Sequence, residues 1–458
     1  MSSSTTDREG AIALARSDAA MAAFSDDLAR LVSYPTESQT EAGAPHLRRY
    51  LKEFMEPRFA ASGFETTLHD DADMPPVLIA RRIEDTAKPT VLVYGHGDVI
   101  HGQADAWSEG LTPFTLTRRG ERLYGRGSAD NKAQHLINLT AAETVIAARG
   151  SLGFNLIFLI EMGEETGSPG LEAFCDRHRD ALAADVLIAS DGPRLRPDTA
   201  TMFLGSRGAV NFDLVANFRD AAHHSGNWGG LLADPAIVLN HAIASITDAR
   251  GAIRVPEWRP NSLDAVRAMI ARLPDPGEGG PEIARDWGEP GLSPAERAYG
   301  WNSFAVLAMA SGRPDAPVNA ISGHARATCQ LRFVVGTDAD DIVPALRRHL
   351  DREGFGMIAV EEWQKGAFPA TRTAPDSDWV RRVAESITAT TGTPPDILPN
   401  LAGSLPNHVF ADILGLPTVW IPHSYGGCNQ HAPDEHVLEP VCRDALGVMT
   451  GVYWDIGS

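Results

Sequence analysis

The chain has 458 residues, 43% hydrophobic and 22% charged, with 42 Gly and 31 Pro. At about 150 residues per domain this predicts two or three domains, and the balance excludes a disordered, collagenous or coiled-coil chain. Forty Lys and Arg against 60 Asp and Glu give a net charge of −20, which repels nucleic acid and anionic membrane, so neither is expected as a partner.

Four cysteines (Cys175, Cys329, Cys428, Cys442) stand singly, which argues against a disulfide framework or a thiolate zinc knuckle. The opening MSSSTTDREG lacks the basic-then-apolar pattern of a signal peptide, and the longest apolar runs are too short to span a bilayer. A cytoplasmic setting is expected.

In chain order, helical periodicity predicts helices over Ala11 to Leu31 and His46 to Ala60, then strands at Val77 to Arg81 and Thr90 to Tyr94. A helix over Lys132 to Arg149 and strands at Asn155 to Glu161 and Val186 to Ser190 follow. The strands at Thr90 and Asn155 are almost wholly apolar, as strands covered on both faces are. The texture changes near Ser206: a strand at Val210 to Asn217, helices at Pro235 to Ile246 and Asp264 to Leu273, and a Pro/Gly/acid-rich loop over Pro274 to Gly291. Next come a strand at Ala325 to Val335, a helix at Ala339 to Asp351 and a strand near Met357 to Glu362. After about Ala370 the α/β texture returns, with helices at Trp379 to Thr391 and His408 to Leu414, a strand at Thr418 to Ile421 and a closing helix at Cys442 to Trp454. The pattern predicts an α/β domain of residues 1–206 and 369–458, interrupted by an α+β domain of residues 207–368.

Open α/β sheets bind ligands at the carboxyl ends of their strands, and polar residues gather there. The Thr90 strand is followed by Gly95-His96-Gly97-Asp98, the Asn155 strand by Gly163-Glu164-Glu165, and the Val186 strand by Asp191. Gly125-Arg126-Gly127-Ser128-Ala129-Asp130-Asn131 leads into a helix, and Asn429-Gln430-His431 comes late. Each alone has an ordinary structural explanation, as a cap, a turn or a solvated face. Together, two His and several acids match the donors that zinc, cobalt or manganese accept, in a number that exceeds one tetrahedral site and suggests two metals sharing a carboxylate. Serine-hydrolase elbows, phosphate loops, dinucleotide fingerprints and His-Glu-x-x-His are absent from the sequence.

The order His96-x-Asp98, Gly127-x-x-Asp130, Glu164-Glu165, Asp191 and a late His431 in His-Ala-Pro-Asp-Glu resembles the di-zinc exopeptidase and deacylase family. That family includes glutamate carboxypeptidase, aminoacylase, acetylornithine deacetylase, succinyl-diaminopimelate desuccinylase and carnosinase-type dipeptidases. The resemblance runs from Leu28 to Trp454 and implies a mixed-sheet metallohydrolase domain with an inserted lid that also makes a homodimer. It implies two divalent metals, zinc with cobalt or manganese as alternatives: His96 and Asp191 on one, Glu165 and His431 on the other, and Asp130 bridging. Asp98 would orient the His96 imidazole. Glu164 would take the proton of a metal-bridging hydroxide's parent water and pass it to the leaving amine. The lid's His224, in Asp220-Ala221-Ala222-His223-His224-Ser225-Gly226, would donate to the oxyanion, often from the partner subunit. Asn319, Arg332 and Gly403 would hold the substrate's carboxylate. A cis peptide at Asp130 to Asn131 belongs to the same resemblance.

Asn131 stands where the family often has Asp, and Ala133 where Gly is common. Asp191, where Glu is the alternative, resembles the aminopeptidase and dipeptidase branch. The expected activity is hydrolysis of an amide in a dipeptide or similar small carboxylate-bearing molecule. Deacylation of N-acyl amino acids, deamination of a small amide or amine, and an inactive metal-binding interaction protein are the alternatives.

Overall fold

The computed structural model describes residues 7–71, 73–276, 282–363 and 368–458. Residues 277–281 of the predicted Pro274 to Gly291 loop lie outside that set. Its principal element is an eight-stranded mixed sheet, in the order Glu65–His69, Val77–Arg82, Asn155–Glu161, Thr90–His96, Val186–Ala189, Thr418–Trp420, Thr201–Phe203, Asp396–Leu398. The centre is parallel: Thr90–His96 pairs in parallel with both Asn155–Glu161 and Val186–Ala189, and Thr418–Trp420 extends the run. Val77–Arg82 and Glu65–His69 add antiparallel strands at one side.

Those central strands are buried because apolar side chains point both ways. Val91, Val93, Leu156, Phe158 and Ile160 join the core on one face, and Leu92, Tyr94, Ile157 and Leu159 the core on the other. Parallel strands need crossovers of a dozen or more residues. The Ala133–Arg149 helix fills one and packs against the closing Glu439–Ile456 helix. The parallel strands therefore open their carboxyl ends at one rim.

Two long predicted helices are broken, for local reasons. Ala11 to Leu31 becomes Arg8–Ala15 and Asp18–Val32, because Ser17 turns extended and its side chain accepts the Ala20 amide as an N-cap. His46 to Ala60 becomes Ala44–Tyr50, a widened turn Leu51–Met55 and Glu56–Ala61. Pro57 lacks an amide hydrogen, and the ladder widens just before it.

The second sheet has four strands, in the order Ser303–Ser311, His324–Phe333, Gly208–Asn217, Ala359–Glu362, all antiparallel. Phe212, Leu214, Cys329 and Leu331 pack beneath the Pro235–Ile246 and Ile342–Arg352 helices. The chain crosses between the two sheets twice, side by side. Ala209 pairs with Phe368, and the amides of Thr371 and Thr373 donate to Ser206 O and Leu204 O. A Cβ on Gly205 would lie 2.0 Å from Thr371 O, so this close approach requires glycine. No helix among the described residues is long and apolar enough to cross a membrane.

Candidate metal centre

The rim gathers the candidate metal-binding side chains. His96 ends its strand with its imidazole buried, and its Nε2 lies 3.1 Å from Asp130 Oδ1 and 3.6 Å from Asp191 Oδ2. Asp191 follows the neighbouring Val186–Ala189 strand. The other oxygen of Asp130, Oδ2, lies 3.2 Å from His431 Nε2, which is 3.0 Å from Glu165 Oε2. Two triads of donors thus form, His96–Asp130–Asp191 and Asp130–Glu165–His431, with the two oxygens of Asp130 facing different imidazoles. Donors held about 2 Å from one ion stand about 3 to 3.5 Å apart, so the observed separations fit two small divalent cations.

Buried groups that belong to neither triad hold these side chains in place. Asp98 accepts the amides of Glu164 (3.2 Å) and Glu165 (3.1 Å), and its Oδ1 lies 3.4 Å from His96 Nδ1. It therefore fixes both the imidazole and the turn that presents the two glutamates. The Asp130 turn is anchored by Glu435, which accepts from the amides of Gly127, Ala129 and Asp130 and from Arg126 Nη1. The Asp130–Asn131 peptide is cis, as the family resemblance implies. Asn131 Nδ2 donates to Ser190 O at 2.8 Å, which ties the Asp130 turn to the strand end carrying Asp191. Sequence reasoning missed Glu435 and this role of Asn131. Glu435 is the final acid of the His431-Ala-Pro-Asp-Glu segment, so its signal was present but lacked a recipient.

Carboxylates crowded in a dry pocket disfavour their own charge and favour added positive charge. Asp130 departs from this, because although burial opposes its charge, hydrogen bonds from His431 and His96 hold its carboxyl below the usual range. Burial, then the neighbouring Asp130, pushes Asp191 up to about 6. Burial pushes Glu165 up to about 7, against its hydrogen bond from His431. Glu164 is raised well above the carboxylate range, by burial first and then by Asp191, Glu165 and Asp130, against the pull of His96. Burial opposes the His96 imidazolium, yet hydrogen bonds to Asp130 and Asp98 raise it well above the usual value. Hydrogen bonds to Asp130 and Glu165 lift His431 to about 11. A cluster that draws positive charge so strongly, built from imidazole and carboxylate donors, suits divalent metals. Glu164 makes no ion pair or side-chain hydrogen bond among the described residues, and it belongs to neither triad.

The lid residues divide into two groups. His224 is exposed; its Nδ1 accepts the Gly226 amide, and among the described residues it makes no hydrogen bond or ion pair with the rim. Asn319 is its neighbour, since the His223–His224 strand pairs with Ala320–Ile321 and the Ser225 amide donates to Asn319 O. Arg332 sits elsewhere, half-buried, with Nη1 donating to Ser404 Oγ at 3.0 Å beside Gly403. Arg332 and Gly403 are brought together, whereas Asn319 and His224 form a separate pair.

Residues 92–454 match the sequence model of peptidase family M20/M25/M40. The chain belongs to this family. A beta-Ala-His dipeptidase of Mus musculus is 37% identical over 187 residues, 40% of this chain and 37% of that protein. The Cys-Gly metallodipeptidase DUG1 of Candida albicans is 32% identical over 211 residues, 44% and 41% of the two chains. The chain thus aligns with about two fifths of the length of these curated relatives. Among solved structures, the M20 family metallo-carboxypeptidase Sso-CP2 from Sulfolobus solfataricus superposes with a TM-score of 0.78 at 25% identity, over 94% of this chain and 98% of that one. The family resemblance and the fold class read from the sequence, a mixed-sheet α/β domain with an inserted α+β domain, are borne out.

Proposed function

We propose that this M20 family member is a dinuclear-metal peptidase that cleaves the amide bond of a dipeptide or similar small carboxylate-bearing substrate. The observation that carries the reading is the pair of donor triads sharing Asp130, with Glu164 left over beside them. His96, Asp130 and Asp191 would hold one divalent cation and Asp130, Glu165 and His431 the second. Zinc suits these donors best, with cobalt or manganese as alternatives. Such cations supply Lewis acidity, acidifying water and polarising an amide carbonyl.

The chain's own groups do the rest. Glu164 takes a proton at its carboxylate from the attacking water and delivers it to the leaving amine nitrogen, a task that calls for a carboxylate free of the metals. Asp98 holds the His96 imidazole and the Glu164–Glu165 turn. Arg332, with Ser404 and Gly403, receives the substrate's carboxylate on a guanidinium fork. His224 donates to the oxyanion, and Asn319 travels with it on the same small ladder.

His224 is exposed and makes no hydrogen bond or ion pair with the rim among the described residues, which favours delivery across a homodimer. The lid offers a surface for one: the Ser303–Ser311 edge strand leaves Val306, Leu307 and Met309 exposed. Four free, buried cysteines accord with a reducing cytoplasm.

The test is turnover of zinc- and cobalt-loaded protein on dipeptides and on N-acyl amino acids. Release of the C-terminal residue from dipeptides is expected. Turnover confined to N-acyl amino acids, or none with either metal, contradicts the reading.

A further inference from the structure

Arg207 lies on the first crossing between the two domains, immediately before the Gly208–Asn217 strand, and is 5% exposed. Its backbone amide donates to Leu401 O and Gly403 O, both at 3.2 Å, and so fixes the loop that carries Ser404. Its guanidinium reaches the other way. Nη2 donates to Ser303 Oγ at 2.8 Å and to Arg332 O at 3.1 Å, and Nη1 donates to Ala298 O at 3.3 Å. Arg332 Nη1 closes the circuit on Ser404 Oγ. One residue thus joins the catalytic-domain loop and the lid strand that together make the Arg332 subsite.

The charge around it is unusual. Neither Arg207 nor Arg332 meets a carboxylate among the described residues, and Arg207 Nε has no hydrogen-bond partner. Burial, then the neighbouring Arg332, holds Arg207 down to about 10. Burying a cation without a counter-ion is costly. Two such guanidinium groups behind one subsite raise its attraction for an anion, and the anion that the proposed substrate brings is its carboxylate.

We propose that Arg207 is a positioning residue for carboxylate recognition: it fixes Arg332 against the Gly403–Ser404 loop and adds a second positive charge behind them. The inference rests on the dipeptide reading and adds to it a group that does not itself touch substrate.

The experiment compares zinc-loaded wild type, Arg207→Met and Arg207→Lys on one dipeptide with a free C-terminus and on its C-terminal amide, with melting temperature and zinc content measured alongside. Charged hydrogen-bonded contacts of this kind set the scale. Arg207→Met is expected to raise KM for the free acid about 10-fold to 100-fold, with kcat within about 3-fold and KM for the amide within about 2-fold. Arg207→Lys keeps the charge and should recover at least half of that loss on a logarithmic scale; if Arg207→Met does not fold, the Lys variant alone should still raise KM for the acid and not for the amide. Equal rises for acid and amide, or no rise in KM, would overturn the inference. A wild type that cleaves dipeptides without preferring the free acid would instead overturn the carboxylate reading on which it rests.

Discussion

The strand-end cluster and the lid histidine belong to one proposed site but are assembled in different ways. At the rim, strand pairing does the work: Thr90–His96 and Val186–Ala189 are paired strands, so His96 and Asp191 converge as soon as the sheet forms. Glu435 and Asp98, both fully buried, lock the turns that add Asp130 and the two glutamates. His224 has no such framework. It rides on a two-residue strand in a domain tethered by two crossing segments, and its side chain answers only to its own loop. A single chain thus preassembles the proposed metal-binding and proton-transfer groups, whereas the proposed oxyanion donor would depend on how the inserted domains are arranged.

That contrast can be broken at either end, and the largest effect is expected at the rim. Glu164→Gln keeps the shape of the side chain but cannot accept the water's proton. It should lower kcat by roughly 1,000-fold or more, towards the upper end of what a general acid–base supplies, with zinc content unchanged. Kinetics and metal analysis on one preparation check this; a variant that loses zinc would make Glu164 a ligand. His224→Ala should lower kcat by about 100-fold to 1,000-fold with little change in KM, because an oxyanion donor acts in the transition state. Mixing His224→Ala subunits with Glu164→Gln subunits sharpens the comparison. Heterodimers in which the lid acts across the interface contain one intact site and should regain activity. No recovery despite demonstrated subunit exchange would show that each chain completes its own site.

Much of the rim was legible in the sequence because strands buried on both faces leave unmistakable apolar runs, and the residue after such a run lies where the sheet opens. His96, Glu164, Glu165 and Asp191 were readable on that ground. Asp130 and His431, on turns, were gathered into the same donor set, but their roles on particular metals needed the family resemblance. What escaped did so for physical reasons. The Ser303–Ser311 strand is a largely exposed edge, so burial imposes no alternation on SFAVLAMAS. Glu65–His69, Thr201–Phe203 and Asp396–Leu398 are too short or too partly buried to stand out. Arg207 was invisible because its meaning lies in two carbonyls of one domain and three acceptors of the other, contacts that local pattern does not encode.

The smallest expected effect concerns the stability of the lid on its own account. Asp213, on the face of the lid sheet opposite its helices, is held down to about 2, chiefly by its hydrogen bond from Arg326, with Thr328 and Trp363 adding to it. A depressed carboxylate stabilises the fold fully above its unfolded value near 4 and loses that contribution as pH falls towards 2. The difference in melting temperature between wild type and Asp213→Asn should therefore be constant above about pH 5 and shrink between about pH 4 and pH 2. A difference independent of pH across that window would assign the effect to packing.

Metal stoichiometry addresses the shared carboxylate most directly. Wild-type protein dialysed against dilute zinc and then buffer, and assayed by elemental analysis, should hold two equivalents per chain. Asp130→Ala, prepared in parallel and folded by circular dichroism, should hold close to none, since both triads lose the same residue. One equivalent in the wild type, or two retained by Asp130→Ala, would contradict a dinuclear centre built on Asp130.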